Sequence, residues 1–486
     1  MTPRFLFRLC LGLPLAGLLL GGCTGFNSGT SGSTGWAAEP AVLARIHAPE
    51  FPAKDFPITD YGAKADGATD CTTAIRQAIA ACNAAGGGRV VVPAGIFLTG
   101  AIHLLSNVNL HLNSGATLKF SPDPAQYLPM VLTRFESIEC MNYSPLIYAF
   151  GQDNIAVTGE GVLDGSASPT QWWDWLRGPD GQVVPNSRQS VDSHLLSTLS
   201  DQGVPLEKRI FGAGHFLRPN FIQPYHCRNV LIEGVTIRNS PMWEINPVLC
   251  TNVIVHGVNV DCPAGPNNDG CDPECSRDVL VEDCVFHTGD DCIAIKSGRN
   301  DDGRRVGVAA ENIIVRRCTM KDGHGGVVLG SEVSGGVRNV WVEDCQMDSP
   351  NLERVARFKS NAVRGGTMEN IFLRNITVGQ VAEAIVTVDF RYEEGAQGPY
   401  KPVLRNVQLD HVTCASSPRV LYILGFPGAV IDGINFENCD FKGLTSAELL
   451  QDAGSITFHN TRLEPKVIPP SLSTRTNPAT SVTPTP

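Results

Sequence analysis

Asn312-Ile-Ile-Val-Arg-Arg-Cys-Thr-Met320 and Asn339-Val-Trp-Val-Glu-Asp-Cys-Gln-Met347 are one phrase written twice, and this phrase decides the fold. It also occurs as Asn229-Val-Leu-Ile-Glu-Gly-Val-Thr-Ile237, Asn252-Val-Ile-Val-His-Gly-Val-Asn-Val260 and Asp278-Val-Leu-Val-Glu-Asp-Cys-Val-Phe286. Asn370-Ile-Phe-Leu-Arg-Asn-Ile-Thr-Val378 and Asn406-Val-Gln-Leu-Asp-His-Val-Thr-Cys414 continue it. Asn107-Val-Asn-Leu-His-Leu112 and Asn154-Ile-Ala-Val-Thr-Gly159 are weaker copies. From Asn229 to Asn406 the anchors lie 23, 26, 34, 27, 31 and 36 residues apart. Each copy holds two short alternating runs separated by a polar or glycine corner, the pattern of half-buried strands. A variable period in the twenties and thirties, with β-branched inward positions, predicts an all-β parallel solenoid. A β-sandwich is the competing fold, but it leaves the repeated phrase unexplained. The Asn at the first corner can bond backbone groups and stack on its counterpart, and the Cys at the second reads as a small buried hydrophobe.

The rest of the chain fits around this solenoid. At a usual domain size of about 150 residues, a chain of 486 would divide into roughly three. The repeat instead predicts one β-helix over 46–460. Between Asp70 and Ala85 the apolar Ala74, Ile75, Ala78, Ile79 and Cys82 keep helical spacing, with Asp70 as N-cap and Gly86-Gly87-Gly88 as the stop. A short helix ahead of the coils is the expected N-terminal cap of a solenoid. Arg4 and Arg8 precede an apolar run, Leu9 to Leu20, and then Leu20-Gly21-Gly22-Cys23. That is a signal peptide over 1–22 whose end resembles the lipobox of bacterial lipoproteins, with Cys23 as the lipidated residue. Two acyl chains there would give a stable anchor to the cell envelope, facing the periplasm or the surface of an outer membrane. Residues 23–45 read as a flexible tether, Gly/Ser/Thr-rich from Thr24 to Gly35, and 461–486 as a disordered Pro/Thr/Ser tail.

The formal charge is −11, and −13 once the signal peptide is removed, with no basic block. That argues against a nucleic-acid binder and leaves contact with a membrane to the lipid anchor alone. Sixteen cysteines are too dilute in 486 residues for a small disulfide-stapled scaffold.

Chemistry concentrates where the repeat is broken by acids, glycines and a histidine. These places are Asn267-Asn268-Asp269-Gly270-Cys271-Asp272, Gly289-Asp290-Asp291-Cys292 and Gly323-His324-Gly325-Gly326, with Arg357-Phe358-Lys359 a fourth. Asp290 and His324 each stand twelve residues after their anchors, so they occupy one corner of neighbouring coils. Asp269 precedes Asp290 by 21 residues, about one coil, and 33 residues separate Asp291 from His324, His324 from Arg357, and Lys359 from Tyr392. Stacked coils lie about 4.8 Å apart, so the spacing gathers three aspartates, a histidine, an arginine and a lysine on one face. Clustered carboxylates resist simultaneous ionisation, which lets one act as acid while another acts as base, the division glycoside hydrolysis uses. Arg357 and Lys359 supply fixed positive charge suited to a sugar carboxylate. A carboxylate cluster taken alone is equally a calcium site. The agreement of phase across coils favours hydrolysis.

With these motifs the chain resembles the polygalacturonases and related pectin hydrolases of glycoside hydrolase family 28. The family pattern runs Asn-Thr-Asp-Gly, Gly-Asp-Asp, Gly-His-Gly and Arg-Ile-Lys, with a later tyrosine. Here it appears as Asn267-Asn268-Asp269-Gly270, Gly289-Asp290-Asp291, Gly323-His324-Gly325 and Arg357-Phe358-Lys359, then Tyr392. The similarity extends from about Ile58 to Phe441 and departs only at Asn268 and Phe358 within the motifs. The resemblance implies a right-handed parallel β-helix that hydrolyses α-1,4-linked galacturonide with inversion. Asp290 would protonate the leaving oxygen, Asp269 and Asp291 would activate water, and His324 would tune the acid. Arg357 and Lys359 would hold the substrate carboxylate, with Asn267 and Tyr392 shaping the site. The implied partner is a pectic polysaccharide or oligosaccharide, acted on by a monomer that needs no metal or cofactor. Another pectic linkage such as rhamnogalacturonan is the nearest alternative. A calcium-dependent lyase would need a basic proton abstractor, and a carbohydrate-binding adhesin would have no use for the aspartates in phase.

Three further features are open on sequence. Trp172-Trp173-Asp174-Trp175 lies in an insertion, Ser166 to Phe216, where it would either wall a sugar subsite or pack on itself. Such an insertion can close one end of a cleft and favour release of terminal sugars. Cys262, Cys271, Cys275, Cys284 and Cys292 are close together, and in an exported chain they read as buried thiols or disulfides rather than a metal cluster. The charged stretch from Arg299 to Arg305 reads as a solvated loop beside the site.

Overall fold

The coordinates, a computed structural model, describe residues 35–178 and 180–465; the signal peptide and Cys23 lie outside them. Each copy of the phrase forms one turn of a parallel β-helix. The strand Ala310–Arg316 pairs in parallel with Val337–Glu343, which pairs with Thr367–Gln380, which pairs with Val403–Ser416. The register is one-to-one: Ile313, Val340, Ile371, Val407 and Ile434 form a single inward column. All five are buried in one apolar core that runs the length of the solenoid.

The anchor asparagines explain that register. Asn229, Asn252, Asn312, Asn339, Asn370 and Asn406 all have φ between 56° and 61°, the left-handed region that Asn tolerates better than other side-chain-bearing residues. Their side chains form a ladder. Nδ2 of Asn339 donates to Oδ1 of Asn312 (3.1 Å), Asn370 to Asn339 (3.0 Å) and Asn406 to Asn370 (2.8 Å). Further along, Asn154, Asn229 and Asn252 continue the same pattern from Asn107. The second-corner cysteines are buried and free, as are all fourteen among the described residues. Their thiols donate to carbonyls of the preceding coil or of their own, as Cys318 does to Val281 and Arg316.

α1 spans Glu39–Leu43 and α2 spans Thr72–Ala84. α2 buries the five apolar residues expected of it against the first coils, and Asp70 caps from one place further out by accepting from Thr72 N (2.9 Å). Two boundaries differ from expectation. Residues 35–45, assigned above to a flexible tether, instead form a strap along the outside of the long sheet. There Trp36, Val42 and Ile46 cover Leu280, Ile314, Trp341 and Phe372, apolar residues on the outward side of successive strands. Arg45 reaches Asp278 (2.7 Å), and His47 N donates to Asn252 Oδ1 (2.9 Å). The solenoid also runs past 460. Arg462–Leu463 pairs with Asp440–Phe441, because Asn460 continues the second-corner ladder by donating to Asn438 (2.6 Å).

The repeat is interrupted on one side. A hairpin of Val131–Phe135 and Ile138–Asn142, α3 (Arg188–Asp201) and the short strand Ile210–Phe211 build a separate small core with Met242 and Trp243. This cover lies on the outer face of the sheet whose later strands are Ile293–Ile295, Val327–Leu329 and Arg354–Lys359. Thr133 bonds Gln223 (2.5 Å) and Arg134 bonds Glu274 (2.6 Å), so the face is sealed up to that coil.

Candidate active site

The unsealed part of this sheet face starts where Asp269 enters it. Cys271 bridges Ile293, and Ile293 pairs with Val327, so Asp269, Asp291 and Gly325 each stand two residues before a paired position and share a column. Asn268, Asp290 and His324 form the next column: Asp290 N donates to Asn268 O (3.3 Å) and His324 N to Asp290 O (3.1 Å). Asp290 and His324 therefore share a corner, as their equal offsets require. The coil-mate of Asp269 is Asp291 rather than Asp290. Gly289 makes the turn possible, because a Cβ there would lie 2.3 Å from the carbonyl oxygen of Gly265.

The side chains sort into two ion pairs and a buried acid. His324 Nδ1 meets Asp290 Oδ1 at 2.9 Å, and Asp290 also accepts from Asp291 N (3.0 Å). The hydrogen bond and charge of Asp290 push the imidazole of His324 up to about 9. Burial works against ionisation of Asp290, but the His324 bond and the nearby Lys359 and Lys296 outweigh it and hold its carboxyl well below the usual range. The proton of this pair therefore rests on the imidazole. Asp291 accepts from Lys359 Nζ (2.7 Å) and lies 3.7 Å from Arg357 Nη1. Tyr392 closes the cationic side, its ring 5.2 Å from Lys359 Nζ and 5.6 Å from the Arg357 guanidinium carbon. Asp269 is pushed the other way: burial, then the charges of Asp272 and Asp290, raise its carboxyl well above the ordinary value. Asn267 stands at the edge, its Oδ1 accepting from Arg218 (2.7 Å). All eight residues marked from sequence thus converge.

Lys296 was missed. Its ammonium lies 3.4 Å from Asp269, 3.9 Å from Asp272 and 3.2 Å from Glu332, over the Trp243 ring at 4.2 Å. Alternation carried the signal: with Ile293 and Ile295 inward, Lys296 must point to the site face. Glu332 and Trp243 gave none, since they arrive from non-repeating corners. The insertion tryptophans pack on one another and into the solenoid core: Trp172 lies 4.9 Å from Trp175 and 5.5 Å from Tyr127, and Trp173 Nε1 donates to Ser240 O (2.9 Å). The stretch after Arg299 is not a solvated loop but α4 (Asn300–Val306). Asp302 is buried against Arg209 (2.6 Å), and Arg304 stacks on Tyr400.

Asp290, Asp291 and His324 place ligand atoms within 4.8 Å of one another, the reach of a divalent ion. Lys359, Arg357 and the imidazole proton already supply the positive charge that an ion would bring. A second such group, His256, Glu282 and Asp283, is on the outer surface and is paired with Arg316 and Arg317.

Residues 214–455 match the family model for Glycosyl hydrolases family 28, and 56–124 match that for Rhamnogalacturonase A/epimerase, pectate lyase-like. The structure superposes on a hyperthermoactive exopolygalacturonase from Thermotoga maritima with a TM-score of 0.84 and 44% identity, covering 87% of this chain and 95% of that one. The chain belongs to glycoside hydrolase family 28. This family 28 hydrolase is also 30% identical to an exo-poly-alpha-D-galacturonosidase of Dickeya chrysanthemi over 69% of its own length and 57% of that protein. It is 27% identical to a probable polygalacturonase of Vitis vinifera, covering 78% and 73% of the two chains.

The His324–Asp290 pair has a pH signature. A histidine raised on folding contributes stability that is fully present below its unfolded value, about 6.5, and is lost as pH rises through about 9. In an NMR titration His324 should change charge near pH 9, and in Asp290→Asn at or below about 6.5. An unchanged midpoint in the variant would refute the pairing.

Proposed function

We propose that this hydrolase cleaves α-1,4-galacturonosidic bonds of pectic chains with inversion, one sugar at a time from a chain end. The observation that carries the exo mode is the sealed face. On the N-terminal side of the site Gln223, Tyr225 and Glu274 are fully buried under the hairpin, so a polymer cannot continue along the sheet in that direction. On the other side His324 keeps 45% of its side chain exposed, and Asp290 19%. We read the cleft as closed at its covered end and open at the other. The relatives named as exo-acting support the same reading.

In this scheme Arg357 and Lys359 pair with the carboxylate of the ring on the open side. The proton that rests on His324 Nδ1 crosses to Asp290 Oδ1, and Asp290 passes it to the glycosidic oxygen as that oxygen's bond to the anomeric carbon breaks. Water attacks that carbon from the opposite face and gives its proton to Asp291, which Lys359 keeps as an ion-paired carboxylate. Asp269, whose carboxyl is raised by burial, helps Asp291 to orient and activate the water. With polygalacturonate the expected product from the first minutes is monogalacturonate, with little loss of viscosity. Asp290→Asn should lower kcat by about a thousandfold or more with KM nearly unchanged. Early oligomer ladders, or full activity in the variant, would refute the scheme.

We also read the enzyme as exported and held to the cell envelope by lipid on Cys23, supported by Leu20-Gly21-Gly22-Cys23 after the apolar run. The strap would then leave a short link, Thr24 to Gly35, between lipid and solenoid. Labelled fatty acid should enter the protein and be lost in Cys23→Ser. Equal labelling of the variant would overturn the anchor.

A further inference from the structure

The insertion 166–216 has so far served only as a cover. Arg177 within it and Arg218 just after it do something more specific. Both hold the loop Ala264–Asn267, which leads into Asp269. Arg177 Nη1 donates to Ala264 O (3.0 Å). Arg218 donates to Pro266 O (2.8 Å), Pro241 O (2.5 Å), Gln189 Oε1 (2.5 Å) and Asn267 Oδ1 (2.7 Å). The same loop presses on the catalytic turn, since it supplies the Gly265 carbonyl that excludes a side chain at Gly289.

Neither arginine forms an ion pair with a carboxylate among the described residues, although the other cations of the site do so. Arg218 is 1% exposed, and burial lowers it to about 9. Its hydrogen-bond partners are all neutral and the nearest carboxylate that acts on it, Glu136, is ion-paired to Arg299, so its charge is only partly compensated, which is costly unless something else supplies the anion. Guanidinium nitrogens can only donate, so Asn267 must turn Oδ1 towards Arg218 and present Nδ2 on its other side. That Nδ2 has no acceptor among the described residues; neither has the Nη2 of Arg177, a part-exposed residue within reach of the Asp290 charge whose Nε is buried without a partner. Unused N–H groups and unbalanced positive charge thus face the site from the coil before Asp290. Arg357 and Lys359 approach from two coils after it.

We propose that Arg177 and the Asn267 amide, oriented by Arg218, form a second carboxylate-recognition site that takes the galacturonate ring on the covered side of the scissile bond. This rests on the galacturonide reading above. It adds that both rings flanking the cut must carry a free carboxylate. A neutral ring on the covered side would close over the Arg177 guanidinium without supplying an anion, the arrangement by which sites reject an uncharged analogue most strongly.

The test compares digalacturonate with its analogue methyl-esterified on the non-reducing ring. The wild-type enzyme should cleave the acid and discriminate against the ester. Arg177→Leu should raise KM for the acid roughly ten- to a hundredfold, with kcat affected less, and should abolish the discrimination. Arg177→Lys should restore part of it. Among the described residues the Arg177 side chain makes one hydrogen bond, to a backbone carbonyl, so Arg177→Leu should melt close to wild type, which separates lost recognition from lost folding. Equal rates on acid and ester by wild type, or an unchanged KM in Arg177→Leu, would overturn the inference. Cleavage of neither compound by wild type would overturn the galacturonide reading, and this inference with it.

Discussion

An asparagine held at positive φ, bonded to the asparagine one coil below, is the constraint on which the rest of this structure depends. A strand slipped by one residue exchanges its inward and outward side chains. The ladder through Asn312, Asn339, Asn370 and Asn406 opposes such a slip, because each amide must find the next at a fixed corner. Once that corner is fixed, residues at equal distance from it on neighbouring coils are superposed. Asp290 and His324 meet for this reason alone, twelve residues beyond Asp278 and Asn312. The catalytic pair is a consequence of register.

Register also explains how charge can be concentrated at low cost. Asp269, Asp291, Lys296 and Lys359 are nearly excluded from solvent, and isolated charges there would be strongly disfavoured. Stacking brings each cation within 4 Å of a carboxylate, so the cluster is compensated internally while its members remain unequal. Burial raises the carboxyl of Asp269 while His324 lowers that of Asp290, and these differences let one small site deliver a proton and accept another. The net acidity of the chain does not oppose an acidic substrate, because the field the substrate meets is that of Arg357, Lys359, Arg177 and Arg218.

What could be read from the sequence follows the same division. The coils, the helix Thr72–Ala84 and the eight clustered site residues were legible because they repeat or keep a period. Lys296 was legible in principle by alternation. The cover was not: hairpin 131–142, α3 and the turn bearing Glu332 join by contacts between distant segments, such as Arg209 with Asp302, that leave no period behind. The strap at 35–45 was hidden for a related reason. It follows the Gly/Ser/Thr stretch and is too short to show a period, and the apolar outward column of Leu280, Ile314, Trp341 and Phe372 gives it a place to bind.

The central claim is that Asp290 and Asp291 work on opposite faces of one anomeric carbon, so that a single displacement inverts it. Proton NMR of the first turnovers on digalacturonate measures this directly. The β-anomer of the released non-reducing galacturonate should appear first and then equilibrate with the α-anomer. Initial release of the α-anomer would mean a covalent intermediate or a different pairing of the carboxylates, and would contradict the account.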